Sequence, residues 1–324
     1  MNIAAAALGM TLAAALPTAA AEMPISTCMN LSNALEAPAE GDWGYRITKD
    51  DIDRIAQAGY DAIRIPIRWS AHAGPTPPYT IDPAFLARVD TVAQTVVDAG
   101  LQAIINVHHY RQIMADPAAH RPRLRRIWEQ LSAHYADWPD ALIFEVLNEA
   151  SGNLDAETTD QINANALSII RRNNPDRWVI LGTAEWGSLW GMLAGHPPQD
   201  DRLIASFHYY DPFPFTHQGA AFVDPPLPTG VTWGTAGDHA QLAAHLDQAA
   251  AFGAAHDLPV FLGEFGVYRE VPEATRADWI SAVRNGAEAR GIGWCHWGFA
   301  AEFRAYEPSD ARWIDAISTA LGKP

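Results

Sequence analysis

Residues 82–107 read DPAFLARVDTVAQTVVDAGLQAIINV, which contains one complete helical pattern and one complete strand pattern. The opening Asp-Pro is typical of a helix start and Gly100 of a helix end, so the stretch predicts a helix over 83–99. QAIINV (102–107) is almost continuously apolar, as expected of a strand buried on both faces of a parallel sheet. The stretch therefore predicts one helix–strand unit of an α/β protein.

The same alternation repeats along the whole chain. The other candidate strands are STCMNL (26–31), AIRIPI (62–67), LIFEVL (142–147), WVILGT (178–183), LIASFH (203–208), PVFLGE (259–264) and IGWCHW (292–297). Helical patterns fall between them at 83–99, 121–136, 158–173, 239–256 and 273–290. Eight alternations predict a single (β/α)8 TIM barrel. A doubly wound open sheet is the alternative, but no glycine-rich phosphate loop follows the first strand.

The predicted barrel occupies residues 22–324, and no linker divides it. Residues 1–21 are uncharged, apolar and rich in Ala, which favours a secretory signal cleaved near Ala21 over a buried N-terminal helix. No basic residue precedes the apolar run, which is unusual for such a signal. One long insertion, roughly 209–237, follows the sixth strand, where barrel loops lie on the catalytic face.

The net charge of −16 argues against nucleic acid, anionic membranes and polyanionic substrates as partners, and suits a neutral polymer. Only two cysteines are present, Cys28 and Cys295, in the first and last predicted strands. These strands are neighbours in a closed barrel, so a disulfide is possible after export. Two buried free thiols are nevertheless the favoured interpretation.

Polar side chains stand at the carboxyl ends of strands that are otherwise apolar. They are Arg64, His108, Asn148, Glu149, His208, Tyr210 and Glu264, with Trp297 ending the last strand. A barrel brings all strand ends to one mouth, so we expect these residues to converge. Burying charge there is costly unless the charge is paired or used, which indicates an active site.

Glu149 and Glu264 supply the two carboxyl groups that glycoside hydrolysis needs, one protonated as the acid and one ionised as the nucleophile. We expect Arg64 to hold Glu264 ionised, and Tyr210 to donate a hydrogen bond to it. Glu149 has Asn148 beside it instead of a cation, so it can keep its proton more readily. Glu145 faces away from Asn148 and is expected to support the site without reacting.

His108 and His109 are adjacent on a predicted strand and should face opposite ways, so we expect one sugar-binding imidazole, one packing residue and no metal site. The other histidines show no pattern. Among twelve tryptophans, several fall in predicted loops, and sugar rings stack on indole faces. Trp43, Trp186 and Trp233 are therefore candidate substrate contacts, and about half of the loop tryptophans are expected to bind substrate.

These segments resemble glycoside hydrolase family 5, the cellulase family. The similar stretches are MNLSNALEAPAEGDWGY (29–45), IRIPIRW (63–69), INVHHY (105–110), IFEVLNEA (143–150), HYYDPFPFTHQGA (208–220), LGEFGVY (262–268) and WCHWGF (294–299). Their order covers nearly the whole predicted barrel. One departure is Ala150, where the family usually has proline.

The resemblance implies retention of configuration, no cofactor and endo attack on β-1,4-glucan. It makes Glu149 the acid/base and Glu264 the nucleophile, with Asn148 on the sugar 2-hydroxyl and Trp297 as the floor. It further implies that Arg64, His108, His208 and Tyr210 frame the site. We expect a secreted or periplasmic enzyme that is monomeric.

Other activities in the family stay open, namely mannanase, xyloglucanase, mixed-linkage glucanase and β-1,3-glucanase. An inactive glycan-binding barrel is a further alternative, although both carboxylates are present. A sugar-phosphate isomerase or aldolase is not supported, because the only lysines, Lys49 and Lys323, do not follow predicted strands.

Overall fold

The computed structural model describes residues 23–324, in which eight parallel strands close into one barrel in chain order. The strands are β1 Thr27–Asn30, β2 Ala62–Ile65, β3 Gln102–Asn106, β4 Leu142–Glu145, β5 Val179–Ile180, β6 Leu203–Tyr209, β7 Val260–Phe265 and β8 Gly293–His296. The predicted (β/α)8 barrel and all eight predicted strands are confirmed. The predicted signal segment, 1–21, lies outside the described residues.

Helices follow the strands and surround the barrel. They are α1 Lys49–Gln57, α2 Trp69–His72, α3 Pro83–Asp98, α4 Arg111–Ala115, α5 Pro117–His134, α6 Ala156–Ile170, α7 Ala184–Gly187, α8 Leu189–Leu193, α9 Phe213–Thr216, α10 Ala236–His256, α11 Glu273–Glu288 and α12 Asp315–Ala320. A 3₁₀ turn, Ala301–Phe303, and a small antiparallel pair, β9 Tyr306–Glu307 and β10 Arg312–Trp313, follow β8. In the described part of the chain, no helix combines the length and apolar character that crossing a bilayer requires.

The helix predicted over 83–99 begins and ends as its sequence signals indicate. The carboxylate of Asp82 accepts hydrogen bonds from the backbone N–H groups of Ala84 and Phe85, and Pro83 is the first helical residue. Gly100 follows the helix with a φ of 81°, a conformation that glycine adopts without strain. The chain then enters β3 directly.

The barrel is filled by a layer of side chains to which every strand contributes one residue. This layer contains Cys28, Ala62, Ile104, Ile143, Ile180, Ile204, Phe261 and Cys295, all fully buried. Strand side chains alternate in direction, so residues two positions further along face inward as well. On the first four strands these next residues are Asn30, Arg64, Asn106 and Glu145, which makes the following layer polar.

The expectation of two free thiols is wrong, because Cys28 and Cys295 form a disulfide. Strands β1 and β8 close the barrel, and their register places these two residues directly opposite each other. Their Cα atoms are 4.1 Å apart and both side chains point into the same interior layer. The sequence showed that the strands are neighbours, but only the register brings the two sulfur atoms together.

Strand β7 contains an extra residue just before Glu264. Leu262 pairs with Phe207 of β6, but Glu264 pairs with the next residue, His208, so Gly263 has no partner in the ladder. A Cβ atom at Gly263 would lie 3.1 Å from both His208 Nε2 and Ser206 Oγ. The bulge therefore needs a glycine, and it directs the Glu264 side chain into the mouth of the barrel.

Candidate active site

The polar residues predicted from the strand ends converge at the carboxyl-terminal mouth of the barrel. Arg64, Asn148, Tyr210 and Glu264 form one hydrogen-bonded set. His208 and Glu149 form a second, with His208 Nδ1 3.6 Å from Glu264 Oε2. His108 and Trp297 lie beside this set, with their rings stacked at a centroid distance of 5.7 Å. The predicted convergence is confirmed, although the fold alone does not assign a role to any of these groups.

Arg64 is the hub of the buried part of the site. Its guanidinium donates to both carboxylate oxygens of Glu145 at 2.6 Å and to Glu264 Oε1 at 2.7 Å. It also donates to the side-chain oxygens of Asn30 and Asn148. All five guanidinium donors are therefore used, and the positive charge is shared between two buried carboxylates.

Glu264 is held by two donors. Besides the Arg64 contact, the phenol of Tyr210 donates to Oε2 at 3.1 Å, so both expected contacts are confirmed. Burial raises the pKa of Glu264, while His208 and Arg64 oppose that rise by stabilising the negative charge. With a cation on one oxygen and a hydroxyl donor on the other, Glu264 is equipped to remain a carboxylate.

Glu149 lies in a different environment. Burial raises the pKa of Glu149 to about 7, and the nearby charge of Glu145 acts in the same direction. Its one side-chain hydrogen bond to another element, 2.8 Å long, joins Oε1 to Nδ1 of His208. The side chain keeps 29% of its surface exposed to the cleft. Glu149 is therefore the carboxyl group that can carry a proton near neutrality.

The backbone of Glu149 has a φ of 46°, in the left-handed region that non-glycine residues rarely occupy. Such conformations are held in place by the surrounding structure and cluster at functional sites. Gly187 packs against this residue from the loop after β5. A Cβ atom there would lie 3.3 Å from Glu149 Cγ and 3.1 Å from His208 Nδ1. The acid side chain is thus confined between a strained backbone and a glycine.

The two carboxyl groups are close together. Side-chain oxygens of Glu149 and Glu264 and a ring nitrogen of His208 all lie within 4.8 Å of one another. Glycosidases that retain configuration have carboxyl groups about 5–5.5 Å apart, and inverting ones about 6.5–9.5 Å. The approach of the two groups is therefore closer to the retaining spacing than to the inverting one.

The same three side chains have a spacing that a metal ion could use. Two features oppose cation binding there. Both oxygens of Glu264 already accept hydrogen bonds, and the guanidinium of Arg64 is 2.7 Å away from one of them. The donor set therefore fits a pair of reacting carboxyl groups better than a metal ion.

A cavity of about 620 Å³ opens above Glu149 and Glu264. Trp43, Trp297, Phe222, Tyr268 and Phe303 give it aromatic walls, and Asn33, Glu36, His108, His109, Arg111, Tyr210, His217, Ala221 and Glu302 complete it. Aromatic walls with a few polar groups are typical of sugar-binding clefts. The insertion after β6 contributes His217, Ala221 and Phe222, as expected of a loop on the catalytic face.

Not every predicted tryptophan lies in this cavity. Trp43 is in its wall with 40% of its surface exposed, but Trp233 packs against Phe215 and His239 outside the lining, which contradicts the prediction for Trp233. Trp69 is buried and its indole N–H donates to the backbone of Asn106. Trp233 therefore packs against α9 and α10, and Trp69, which lies in α2, packs against Phe85 of α3, because proximity to a strand end does not fix side-chain direction.

Trp186 is not among the cavity-lining residues, yet it is the neighbour of Gly187, which touches Glu149. It is 67% exposed, and its backbone N–H donates to Ala150. Contact between Trp186 and substrate therefore stays a prediction.

His109 was expected to pack away from the site if His108 faced it. Both line the cavity, because β3 ends at Asn106 and His109 has a φ of 50°, so strand alternation no longer applies. The ring of His109 contacts Trp43 edge to face at 5.7 Å. Burial and nearby arginines lower the pKa of His109 to about 4, so it is neutral near pH 7.

Several site residues were missed in the sequence. Asn30 and Asn106 interrupt apolar strands in the same way as Arg64 and could have been found by that signal. Glu36, His217 and Phe222 lie in loops without periodicity and carry no such signal. Glu36 is buried, accepts hydrogen bonds from the backbone of Asn33 and Ala34, and has its pKa raised to about 7 by burial.

Comparison with known sequences gives a consistent result. Residues 20–302 match the profile of the cellulase family, glycosyl hydrolase family 5. The chain is 37% identical over 268 residues to Endoglucanase H of Acetivibrio thermocellus, a match that covers 83% of this chain and 29% of that protein. It is 30% identical over 300 residues to Endoglucanase A of Ruminococcus albus, covering 84% and 81%. The match spans about a third of the first two curated relatives.

Comparison with solved structures agrees. A hyperthermophilic endo-β-1,4-glucanase in complex with substrate superposes with a TM-score of 0.91 at 38% identity, covering 92% of this chain and 97% of that one. The endoglucanase Cel5A of Thermotoga maritima gives 0.89 at 38% identity, covering 91% and 96%.

Proposed function

Because the chain belongs to the cellulase family, glycosyl hydrolase family 5, we propose that it is a retaining endo-β-1,4-glucanase. The observation that carries the proposal is the approach of Glu149 and Glu264 to within 4.8 Å across the barrel mouth. This separation suits double displacement through a covalent intermediate. Glu264 acts as the nucleophile and Glu149 as the acid/base.

In the first step Glu264 attacks the anomeric carbon as the bond to the leaving oxygen breaks. Glu149 transfers its proton to that oxygen, so the glucan fragment departs as an alcohol and not as an alkoxide. The pKa of about 7 suits this task, because Glu149 is then protonated in a large fraction of molecules at neutral pH. Arg64 and Tyr210 keep Glu264 ionised until attack.

In the second step a water molecule takes the place of the departed fragment. Glu149, now ionised, removes a proton from this water, which attacks the anomeric carbon and releases Glu264. Glu149 recovers its proton and the sugar keeps its original configuration. His208, hydrogen-bonded to Glu149 at 2.8 Å, orients the carboxyl group in both steps.

The walls of the cleft orient the sugar. Trp297, stacked on His108, forms the floor below the sugar that is attacked, and Asn148 is the candidate partner of its 2-hydroxyl. Trp43 is the proposed platform for a sugar further along the chain. Trp186, exposed and beside Gly187, is the candidate platform on the leaving-group side. A cleft of this kind suits attack within a glucan chain, and we propose that the protein acts as a monomer because one chain supplies the whole lining described here.

The substrate assignment follows the relatives, whose names are those of endoglucanases. A β-mannan is the second candidate, because a Thermotoga maritima Cel5A structure at 37% identity was obtained in complex with mannotriose. The two main chains differ at the 2-hydroxyl, which is the group that Asn148 is proposed to contact.

We also propose that the protein is exported. The uncharged apolar segment 1–21 resembles a secretory signal, and the disulfide between Cys28 and Cys295 is typical of an oxidising compartment. A polymeric substrate is likewise found outside the cell.

The test is reducing-end release from carboxymethylcellulose, barley β-glucan, xyloglucan, glucomannan and laminarin. We expect the highest rate on a β-1,4-glucan, loss of activity in Glu264→Ala, and unchanged activity in the exposed-surface control Glu157→Ala. Added azide should rescue Glu264→Ala on an activated aryl cellobioside and give the α-glycosyl azide. A preference for glucomannan would favour the mannanase, and β-to-α inversion of the product would overturn the mechanism.

A further inference from the structure

Two arginines leave adjacent strands beside the cavity. Arg68 follows β2 and Arg111 begins α4 after β3. The two segments run side by side, because the backbone N–H of His108 donates to the carbonyl of Ile67 at 2.8 Å. Arg111 is exposed and lines the cavity, and Arg68 is half-buried. Both cations also act on the cavity residue His109, whose pKa they help to lower.

Neither arginine has an ion-pair or side-chain hydrogen-bond partner within residues 23–324. Nε of Arg68 is buried without an acceptor, and the charge of Arg111 lowers the pKa of Arg68 together with burial. Other half-buried arginines of this acidic chain are paired, as in Arg88 with Glu40 and Arg171 with Asp200, although Arg121 and Arg276 also keep a buried Nε without an acceptor. Because unpaired cations do not stabilise the folded protein, the presence of Arg68 and Arg111 next to each other indicates a role in binding.

We propose that Arg68 and Arg111 bind a carboxylate carried by a substituent on the β-glucan chain. The planar guanidinium matches a carboxylate with two parallel hydrogen bonds, and two of them supply a full complement of donors. Trp43, which contacts His109, gives the sugar that carries the substituent an aromatic surface next to the charges. This inference rests on the proposed glucanase function.

The charge of the whole protein limits what this site accepts. At −16 the chain repels a polymer with a charge on every sugar. The two arginines act over a short range, since exposed charges are screened beyond about 8–10 Å at moderate salt. The site therefore suits a mostly neutral glucan with scattered acidic substituents.

The experiment compares carboxymethylcellulose with hydroxyethylcellulose, matched in length and degree of substitution. Wild type, Arg68→Gln, Arg111→Gln and the double variant are assayed for kcat/KM at low and high NaCl. Arg172→Gln is the matched control for each single variant, because Arg172 is exposed after α6, at the opposite end of the barrel, and its substitution removes one positive charge as each of theirs does. We expect the double variant to lose roughly tenfold on the anionic polymer, mainly through KM, and to stay within twofold on the neutral one. Salt should reduce the wild-type preference to the level of the double variant.

Binding is also measured without turnover, by affinity electrophoresis of the Glu149→Gln protein with and without the two arginine changes in gels containing each polymer. Selective loss of retardation by carboxymethylcellulose supports the proposal. If the arginine changes weaken retardation equally in both polymers, the arginines bind neutral hydroxyls. If they weaken retardation in neither polymer, the arginines bind no part of the glucan. Either result overturns the proposal. Failure of wild type to hydrolyse hydroxyethylcellulose and the other glucans would instead contradict the proposed function, while the binding ratio would still test the arginines.

Discussion

Oε1 of Glu264 lies 2.7 Å from Nη1 of Arg64, and the same guanidinium holds both oxygens of Glu145 at 2.6 Å. One cation is therefore shared by two buried carboxylates, which come from β4 and β7. The arrangement couples stability to catalysis, because the group that stabilises Glu145 in the barrel interior also sets the charge and position of Glu264.

The substitution Arg64→Met should lower both the stability of the protein and its catalytic rate. It leaves Glu145 and Glu264 buried without a cation, so we expect a loss of about 3–5 kcal/mol in the free energy of unfolding, measured in urea. Arg171→Met, which breaks the more exposed pair with Asp200 and hydrogen bonds to two backbone carbonyls, should cost less, about 1–2 kcal/mol. Arg64→Lys keeps a charge but not the five donors, and should lower kcat roughly 100-fold in folded protein. Equal stability losses for the Arg64 and Arg171 variants would refute the hub role.

The pH dependence should follow Glu149. Its proton is needed for the leaving group and its pKa is about 7, so kcat/KM on β-glucan should be present below that pH and fall as pH rises through it. A 2,4-dinitrophenyl cellobioside has a leaving group that needs no proton, so the fall should disappear with this substrate. A pH–rate profile that peaks well above neutrality on β-glucan would show that Glu149 is not the acid.

Glu36 provides the control for this profile, because its pKa is also raised to about 7 and it lines the same cavity. Glu36→Gln should keep the alkaline fall on β-glucan. If the fall vanished in that variant, the titrating group would be Glu36 and the assignment of Glu149 would need revision.

The disulfide should contribute to stability without taking part in the reaction. Cys28 and Cys295 are 267 residues apart in sequence and join β1 to β8, so the bond restricts almost the whole unfolded chain. Cys28→Ala with Cys295→Ala should lower the free energy of unfolding by about 2–4 kcal/mol and leave kcat within twofold. Dithiothreitol should lower the Tm of wild type and not that of the double variant. An equal shift in both would contradict a disulfide in the folded protein.

The features that could be predicted from the sequence are those that follow from strand periodicity. Apolar strands that end in Arg64, Glu149 and Glu264 require a mouth where these groups meet, and a barrel supplies one. The features that were not predicted depend on strand register and on where each strand ends. The disulfide depends on the register of β1 with β8, and the inward turn of His109 depends on β3 ending at Asn106.

Loop residues show the same limit more strongly. Trp233 and Phe222 both lie in the insertion after β6, yet only Phe222 lines the cavity. His217 is buried against Phe213 and Tyr210 in the same insertion, at the end of the short helix α9. Because loop conformation is decided by these particular contacts, composition alone cannot separate a substrate platform from a packing residue.

Substitution of Gly187 would test how tightly the side chain of Glu149 must be held in position. Gly187 has a φ of 71°, and a Cβ atom there would press on Glu149 Cγ at 3.3 Å and on His208 Nδ1 at 3.1 Å. Gly187→Ala should displace the carboxyl group and lower kcat/KM on β-glucan roughly 10- to 100-fold. Gly100→Ala is the matched control, because Gly100 has a φ of 81° and no atom within 4 Å of the added Cβ. Both variants should lose about 1–2 kcal/mol from the left-handed backbone, but only Gly187→Ala should lose activity. If the two lost activity equally, backbone strain and not the position of Glu149 would explain the effect.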